Sequence, residues 1–202
     1  MTVRVLLAED QAMVRGALSA LLTLEEDVEI VAEVSRGDEV VSAALETLPD
    51  VALLDIEMPG GDGLSAAAAL KESLPSCRVI ILTTFGRAGY LRRAMESGAV
   101  GFLLKDAPAS ELSSAVHRVM NGERVVDPGL AAAALSEGEN PLTERERDVL
   151  LASANGATIE DVAAKLYLSE GTVRNYLSTA IKKLGARNRV EAARLAERKG
   201  WL

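Results

Sequence analysis

Five short apolar runs, each followed by a helix-length segment, fill the first 120 positions of this 202-residue chain. The runs are Val3 to Ala8, Val28 to Val34, Val51 to Leu54, Val79 to Thr83 and Gly101 to Leu104. Ala12 to Leu22, Asp38 to Leu48, Leu64 to Leu74, Ala88 to Ser97 and Ala109 to Asn121 follow them in turn. The runs lack the polar alternation of a half-exposed sheet, so both of their faces must be covered. Strand then helix, repeated, predicts a doubly wound α/β domain on a parallel sheet. In such a sheet all strands end on one edge, and ligands bind beyond that edge.

The pattern changes beyond residue 122. Residues 123–140 read as a connector, with Asp127-Pro128-Gly129 and an alanine-rich stretch able to form a short helix. From Pro141 the pattern is purely helical. Thr143, Thr158, Ser169 and Asn188 are N-cap signals, three of them followed at the third residue by Glu146, Asp161 or Glu191. Gly156, Gly185 and Gly200 stand where helices should stop. The expected organisation is therefore an α/β domain over 1–122, a linker over 123–140 and a small four-helix domain over 141–202.

Composition narrows the setting. Apolar residues make up 49% of the chain but aromatics only 3%, so the cores must be aliphatic. The single cysteine, Cys77, excludes an internal disulfide and reads as a small buried residue. No apolar run approaches the ~20 residues of a membrane span, and no N-terminal signal pattern is present. The expectation is a soluble protein of the cytoplasm. The net charge of -8 argues at first against nucleic acid, but the charge is unevenly placed. Residues 1–140 carry a net of -11, residues 141–202 a net of +3, and the stretch from Ser169 onward a net of +5. Only the tail is fit to approach phosphates.

The polar residues at the predicted strand ends carry the chemistry. Glu9 and Asp10 follow the first strand, Asp55 the third, Thr83-Thr84 the fourth and Lys105 the fifth. Each alone reads as a turn, a cap or a solvated group; together on one edge they form a pocket. Clustered carboxylates repel, and a hard divalent cation relieves the repulsion. Mg2+ fits oxygen donors: Asp10 and Asp55 directly, Glu9 through a water, and the backbone carbonyl of Glu57. A carboxylate held there can attack a phosphoryl group, and Lys105 and the Thr83 hydroxyl can hold its oxygens.

The segment Asp55-Ile-Glu-Met-Pro-Gly-Gly-Asp-Gly63 resembles the signature around the phosphorylated aspartate of receiver domains. Glu9-Asp10, Thr83 and Gly101-Phe102-Leu103-Leu104-Lys105 match the rest of that pattern in order and spacing. The resemblance implies a flavodoxin-like fold with strand order 2-1-3-4-5 and a sensor histidine kinase as phosphodonor. It also implies a switch in which Thr83 moves toward the phosphoryl group and the aromatic Phe102 turns inward. Two departures stand out: Phe102 replaces a frequent tyrosine, and Asp106 follows Lys105 where many receivers have proline. Glu57 and Phe85 are expected to tune the lifetime of the phosphoryl group. Two alternatives stay open. Haloacid-dehalogenase phosphatases also use a strand-end aspartate with Mg2+, but need a second aspartate two residues later, where this chain has Glu57. The other is a transcription factor that ignores phosphorylation.

In the tail, a short helix from Ile159 to Leu166, the break Tyr167-Leu168-Ser169 and a longer helix to Leu184 outline a helix-turn-helix. Val173, Leu177, Ile181 and Leu184 form the apolar stripe of the second helix. Arg174, Asn175, Ser178 and Lys182 then face outward, residue types suited to base edges and phosphates. Leu168-Ser-x-Gly-Thr-Val-Arg and Lys183-Leu-Gly-Ala-x-x-Arg-x-Glu-Ala-Ala resemble the LuxR-type domain. Joined to a receiver, it looks like the NarL/FixJ class of response regulators, and Arg-Asn-Tyr-Leu-Ser is similar to regulators of membrane-lipid desaturation. The resemblance implies promoter DNA as partner, contacted by Thr172, Arg174, Asn175, Ser178 and Lys182, and a homodimer on phosphorylation. It implies no enzymatic activity beyond the receiver's own phosphoryl transfer and slow dephosphorylation. The sole histidine, His117, reads as a partly exposed helix residue.

Overall fold

The computed structural model describes residues 2–84, 86, 88–136, 140–154 and 156–202. Phe85 and the linker stretch 137–139 lie outside the described residues. The chain forms two compact units, one of residues 1–86 and 91–131, the other of residues 132–202 with the short piece 87–90.

The first unit is built on a parallel sheet of β1 (Val3–Ala8), β2 (Val28–Val34), β3 (Val51–Asp55), β4 (Arg78–Thr83), β5 (Gly101–Leu104) and β6 (Val125–Val126). The order is β2-β1-β3-β4-β5-β6. The helices are α1 (Ala12–Thr23), α2 (Val40–Thr47, after a 3-10 turn at Gly37–Glu39), α3 (Gly63–Ser73), α4 (Ala88–Glu96) and α5 (Ala109–Met120). The five-strand order expected of a flavodoxin-like receiver is present, with one addition. Val125 and Val126 pair with Gly101 and Phe102 as a sixth strand, inside the stretch read as connector. Two residues are too few to carry a strand period.

Side chains alternate across the sheet. Val5, Leu7, Val51, Leu53, Ile80, Leu82 and Leu103 share one core with Leu22 of α1 and with Leu112, Val116 and Val119 of α5. Leu6, Ala8, Ala52, Leu54, Ile81 and Phe102 alternate with these and are buried too. Covered on both faces, the strands read as continuous apolar runs. Cys77 is buried at the start of β4, and burial, with the charge of Asp50 added, pushes its thiol up to about 12. It carries no reactive thiolate at neutral pH.

His117, on α5, is half-buried as expected. Its Nδ1 lies 2.8 Å from the Ser113 carbonyl oxygen and its Nε2 3.0 Å from a carboxylate oxygen of Asp27. Both partners only accept, so the ring is fully satisfied only as the imidazolium. The hydrogen bond to Asp27 raises its pKa above the ordinary value of 6.5. A raised folded-state pKa stabilises below the unfolded value, and the gain is lost as pH rises through the folded one. Thermal stability should therefore fall slightly above pH 6.5, by less than about 1 kcal/mol because the pair is solvent-screened. The slope should vanish in His117→Gln, measured by melting across that range.

After α6 (Pro128–Ser136), the second unit consists of α7 (Glu144–Ser153), α8 (Ile159–Leu166), α9 (Glu170–Leu184) and α10 (Arg189–Arg198). All four expected caps form. Thr143, Thr158, Ser169 and Asn188 accept hydrogen bonds from the amides of Glu146, Asp161, Thr172 and Glu191. Val149, Leu150, Val162, Val173, Leu177, Ala180 and Ala196 fill the core, with Trp201 closing it.

Glu146 is only 4% exposed yet serves two elements. Its carboxylate accepts from the Thr143 amide at 2.7 Å and from Lys183 Nζ, on α9, also at 2.7 Å. Burial works to raise its pKa, but Lys183 and Thr143 outweigh it and the value is lowered. That contribution is present above the unfolded value of 4.5 and is lost as pH falls through the folded one. Glu146→Ala removes the reciprocal cap and strands Lys183. It should destabilise this unit by about 1–3 kcal/mol, read by urea unfolding.

Candidate functional site

Strand pairing sets the pocket. Ala8 pairs with Leu54, Asp55 with Leu82 and Thr83 with Leu104, so four strands end at one level. Glu9 and Asp10 leave β1 there, Asp55 ends β3, Thr83 ends β4, and Lys105 follows β5. A small cavity of about 90 Å³ is lined by Asp10, Asp55, Glu57, Thr83 and Lys105, together with Gln11 and Thr84. The turn after Asp55 is drawn tight by Gly63, whose amide donates to the Ile56 carbonyl at 3.0 Å. A Cβ at Gly63 would overlap the Asp55 carbonyl oxygen.

Lys105 is the electrostatic centre. Its Nζ lies 2.6 Å from Oε2 of Glu9 and 2.9 Å from Oδ2 of Asp55. Burial alone would lower its pKa, but the two carboxylates outweigh burial and raise it. Glu9 is fully buried, and that burial, reinforced by the charge of Asp55, raises its carboxyl against the pull of Lys105. Oε2 of Glu9 therefore meets the Lys105 ammonium, which it shares with Asp55. Thr83 is buried, and its carbonyl accepts from the Lys105 amide at 2.8 Å. Phe102 is completely buried on β5. Phe85 lies outside the described residues.

Carboxylate oxygens of Glu9, Asp10 and Asp55 lie within 4.8 Å of one another. An all-oxygen, anionic donor set in which two of the three carboxylates are buried suits Mg2+. The residues present fit that ion.

Two neighbours escaped the sequence reading. The Gln11 amide donates to Oε1 of Glu9 at 3.2 Å, and Arg15 Nη1 donates to the Glu9 carbonyl at 2.6 Å. They fix Glu9 from the cap and the first turns of α1, and their place just after the acidic pair is the only sequence signal for them.

In the second unit, α8 and α9 are joined by Tyr167-Leu168-Ser169. Val173, Leu177 and Ala180 are buried on α9, and Ile181 and Leu184 pack beside them. Arg174, Asn175, Ser178 and Lys182 are exposed on the other side, whereas Thr172 is half-buried. The Thr172 hydroxyl lies 2.8 Å from the Ser169 hydroxyl at the cap, and Arg174 is braced by Glu170 at 2.6 Å. Gly171 is exposed, and a Cβ there would touch only Ser169 Oγ at 3.8 Å, so the fold does not require glycine at this position.

Comparison with known proteins covers both units. Residues 5–117 match the response regulator receiver domain, and residues 140–196 match the bacterial regulatory proteins of the luxR family. The uncharacterized transcriptional regulatory protein YvfU of Bacillus subtilis (strain 168) is 47% identical over 200 residues, covering 99% of this chain and all of the relative. Transcriptional regulatory protein DesR of the same organism is 46% identical over 199 residues, covering 98% of each. Among solved structures, response regulator ChrA of a heme-sensing two-component system has a TM-score of 0.58 at 35% identity, covering 100% of this chain and 99% of its own. The RcsB–DNA complex shares the fold, with a TM-score of 0.67 at 23% identity, covering 98% and 99%. No helix among the described residues is long and apolar enough to cross a membrane. The pocket, the helix-turn-helix and the two matches agree: this chain belongs to the transcriptional response regulators that join a receiver domain to a LuxR-type DNA-binding domain.

Proposed function

We propose that phosphorylation of Asp55 controls promoter binding through α9. The observation that carries this reading is Lys105 bridging Glu9 and Asp55 at the common strand edge. Asp55 takes the phosphoryl group from a phosphohistidine of a sensor histidine kinase. The N–P bond breaks, an O–P bond to the carboxylate forms, and the freed imidazole takes up a proton. Glu9, Asp10, Asp55 and the Glu57 carbonyl would hold Mg2+, and the ion would supply positive charge against the phosphoryl oxygens. Lys105 moves from pairing with carboxylates to pairing with a phosphoryl oxygen, and the Thr83 hydroxyl donates to another.

The new group adds about -1.5 to -2 charges. Thr83 is drawn toward it, and Phe102 repacks behind β4. The receiver's outer surface changes, and two copies pair through α1 and α5. That assignment is supported by Met13, 86% exposed on α1, with Leu21 and Leu24 exposed near its end. Pairing lets two α9 helices reach major grooves about one DNA turn apart. Dimerisation raises affinity through effective concentration. Arg174, Asn175 and Ser178 read base edges, Thr172 supports the helix start, and Lys182 meets phosphate. The setting is the cytoplasm, and the only chemistry is the receiver's own phosphoryl transfer and slow hydrolysis.

Intact mass after incubation with Mg2+ and a small-molecule phosphodonor tests the first step. One added phosphoryl group is expected. No adduct, joined with no change in oligomeric state on beryllofluoride, would sink the proposal. Steady turnover of a phosphomonoester would instead favour the phosphatase.

A further inference from the structure

Five helices among the described residues end in the same two-bond cap, in which successive amides reach back three and five residues. The capping residue takes the left-handed conformation, which glycine adopts without steric cost. Four of these caps use Gly98, Gly122, Gly185 and Gly200. The fifth, at the end of α8, uses Tyr167, with φ 55. Its amide and that of Leu168 return to the carbonyls of Ala164 and Ala163 at 3.4 and 2.9 Å. Among the described residues, Leu48 is the other non-glycine residue with positive φ, and it belongs to the receiver unit.

The side chain gains nothing from the fold. Tyr167 is 96% exposed, in a chain whose aromatics amount to only 3% of residues. Trp201, in the same unit, is buried, and Tyr176 packs against the core. A bulky residue in a strained conformation, with its ring in solvent, points to a partner outside the chain. Its position names the partner. Tyr167 lies in the turn of the helix-turn-helix, three residues before α9 begins. When the second helix of such a motif enters the major groove and the first crosses the backbone, the turn between them borders the phosphates. Exposed Lys165 on one side and Ser169 on the other suit the same surface.

We propose that the Tyr167 phenol donates a hydrogen bond to a backbone phosphate of bound duplex DNA, a sequence-independent contact that sets the register of α9. This rests on the DNA-binding reading of α8 and α9. Tyrosine is among the side chains that position proteins on phosphates. Being neutral, it releases no counterion.

The test uses the full chain treated with phosphodonor, a duplex selected from a random pool by the parent, and an unrelated duplex. Tyr167→Phe removes only the hydroxyl. Tyr167→Gly removes the side chain while relieving the backbone, and should melt at or above the parent temperature. Both variants should lose affinity about five- to tenfold on either duplex, the size of one hydrogen bond. The slope of log affinity against log salt should stay at the parent value, whereas Lys182→Ala should reduce it by about 0.9. Parental affinity for Tyr167→Phe overturns the contact, as does loss confined to one duplex. A parent that binds neither duplex overturns the DNA-binding reading itself, and the contact with it.

Discussion

Asp55→Asn should abolish acceptance of the phosphoryl group while leaving the receiver at least as stable as the parent in Mg2+-free solution. The amide keeps the shape of the carboxylate but is no nucleophile, so intact mass should show no adduct. Stability follows from charge. Glu9, Asp10 and Asp55 crowd their oxygens within 4.8 Å, and Lys105 is the cation that pairs with Glu9 and Asp55 among the described residues. Removing one of three negative charges relieves repulsion that the fold otherwise tolerates. Mg2+ should then raise the melting temperature of the parent more than that of the variant, because binding to the native state alone stabilises it. Equal gains would show that Asp55 takes no part in holding the ion. An adduct on the variant would place the phosphoacceptor elsewhere.

Phe102→Ala should cost about 3–5 kcal/mol, enough to unfold much of the receiver at physiological temperature. The ring is fully buried and, among the described residues, the largest side chain so buried. Its strand neighbours are Ile81 on β4 and Val126 on β6, and β6 is only two residues long. Truncation leaves a cavity that this short strand can close only by shifting. Urea unfolding measures the loss, and a cost under about 1 kcal/mol would contradict the packing described. Phe102→Leu keeps most of the volume. It is the variant in which phosphorylation-dependent pairing can be read, since Phe102 has no hydroxyl whose partner must be exchanged.

The sheet was legible because its runs are apolar on both faces and its helices fill the intervals between them. A parallel sheet also fixes which ends meet, and so strand order alone brings Glu9, Asp55, Thr83 and Lys105 together. Local signals did equally well in the tail. Thr143, Thr158, Ser169 and Asn188 each cap the helix that follows, since a cap depends on residues three apart. Features that depend on distant partners stayed hidden. Lys183 reaches Glu146 across 37 positions and His117 reaches Asp27 across 90, and no periodicity encodes either pair. Val125 and Val126 become a strand only because β5 offers them an open edge. Tyr167 could be assigned to a break between helices. The left-handed turn that leaves its ring exposed follows from the two-bond cap, which the four glycine caps make visible by contrast.

If Asp55 is the switch, its phosphoryl group governs the grip of α9 on DNA. The decisive measurement is affinity for the parent-selected duplex, with and without phosphodonor and Mg2+, run beside Asp55→Asn with light scattering on the same samples. Tighter binding and a doubled mass are expected for the treated parent, and neither change in the variant. Equal affinity in all samples, at unchanged mass, would contradict that role of Asp55 and leave a DNA-binding protein whose receiver does not control it.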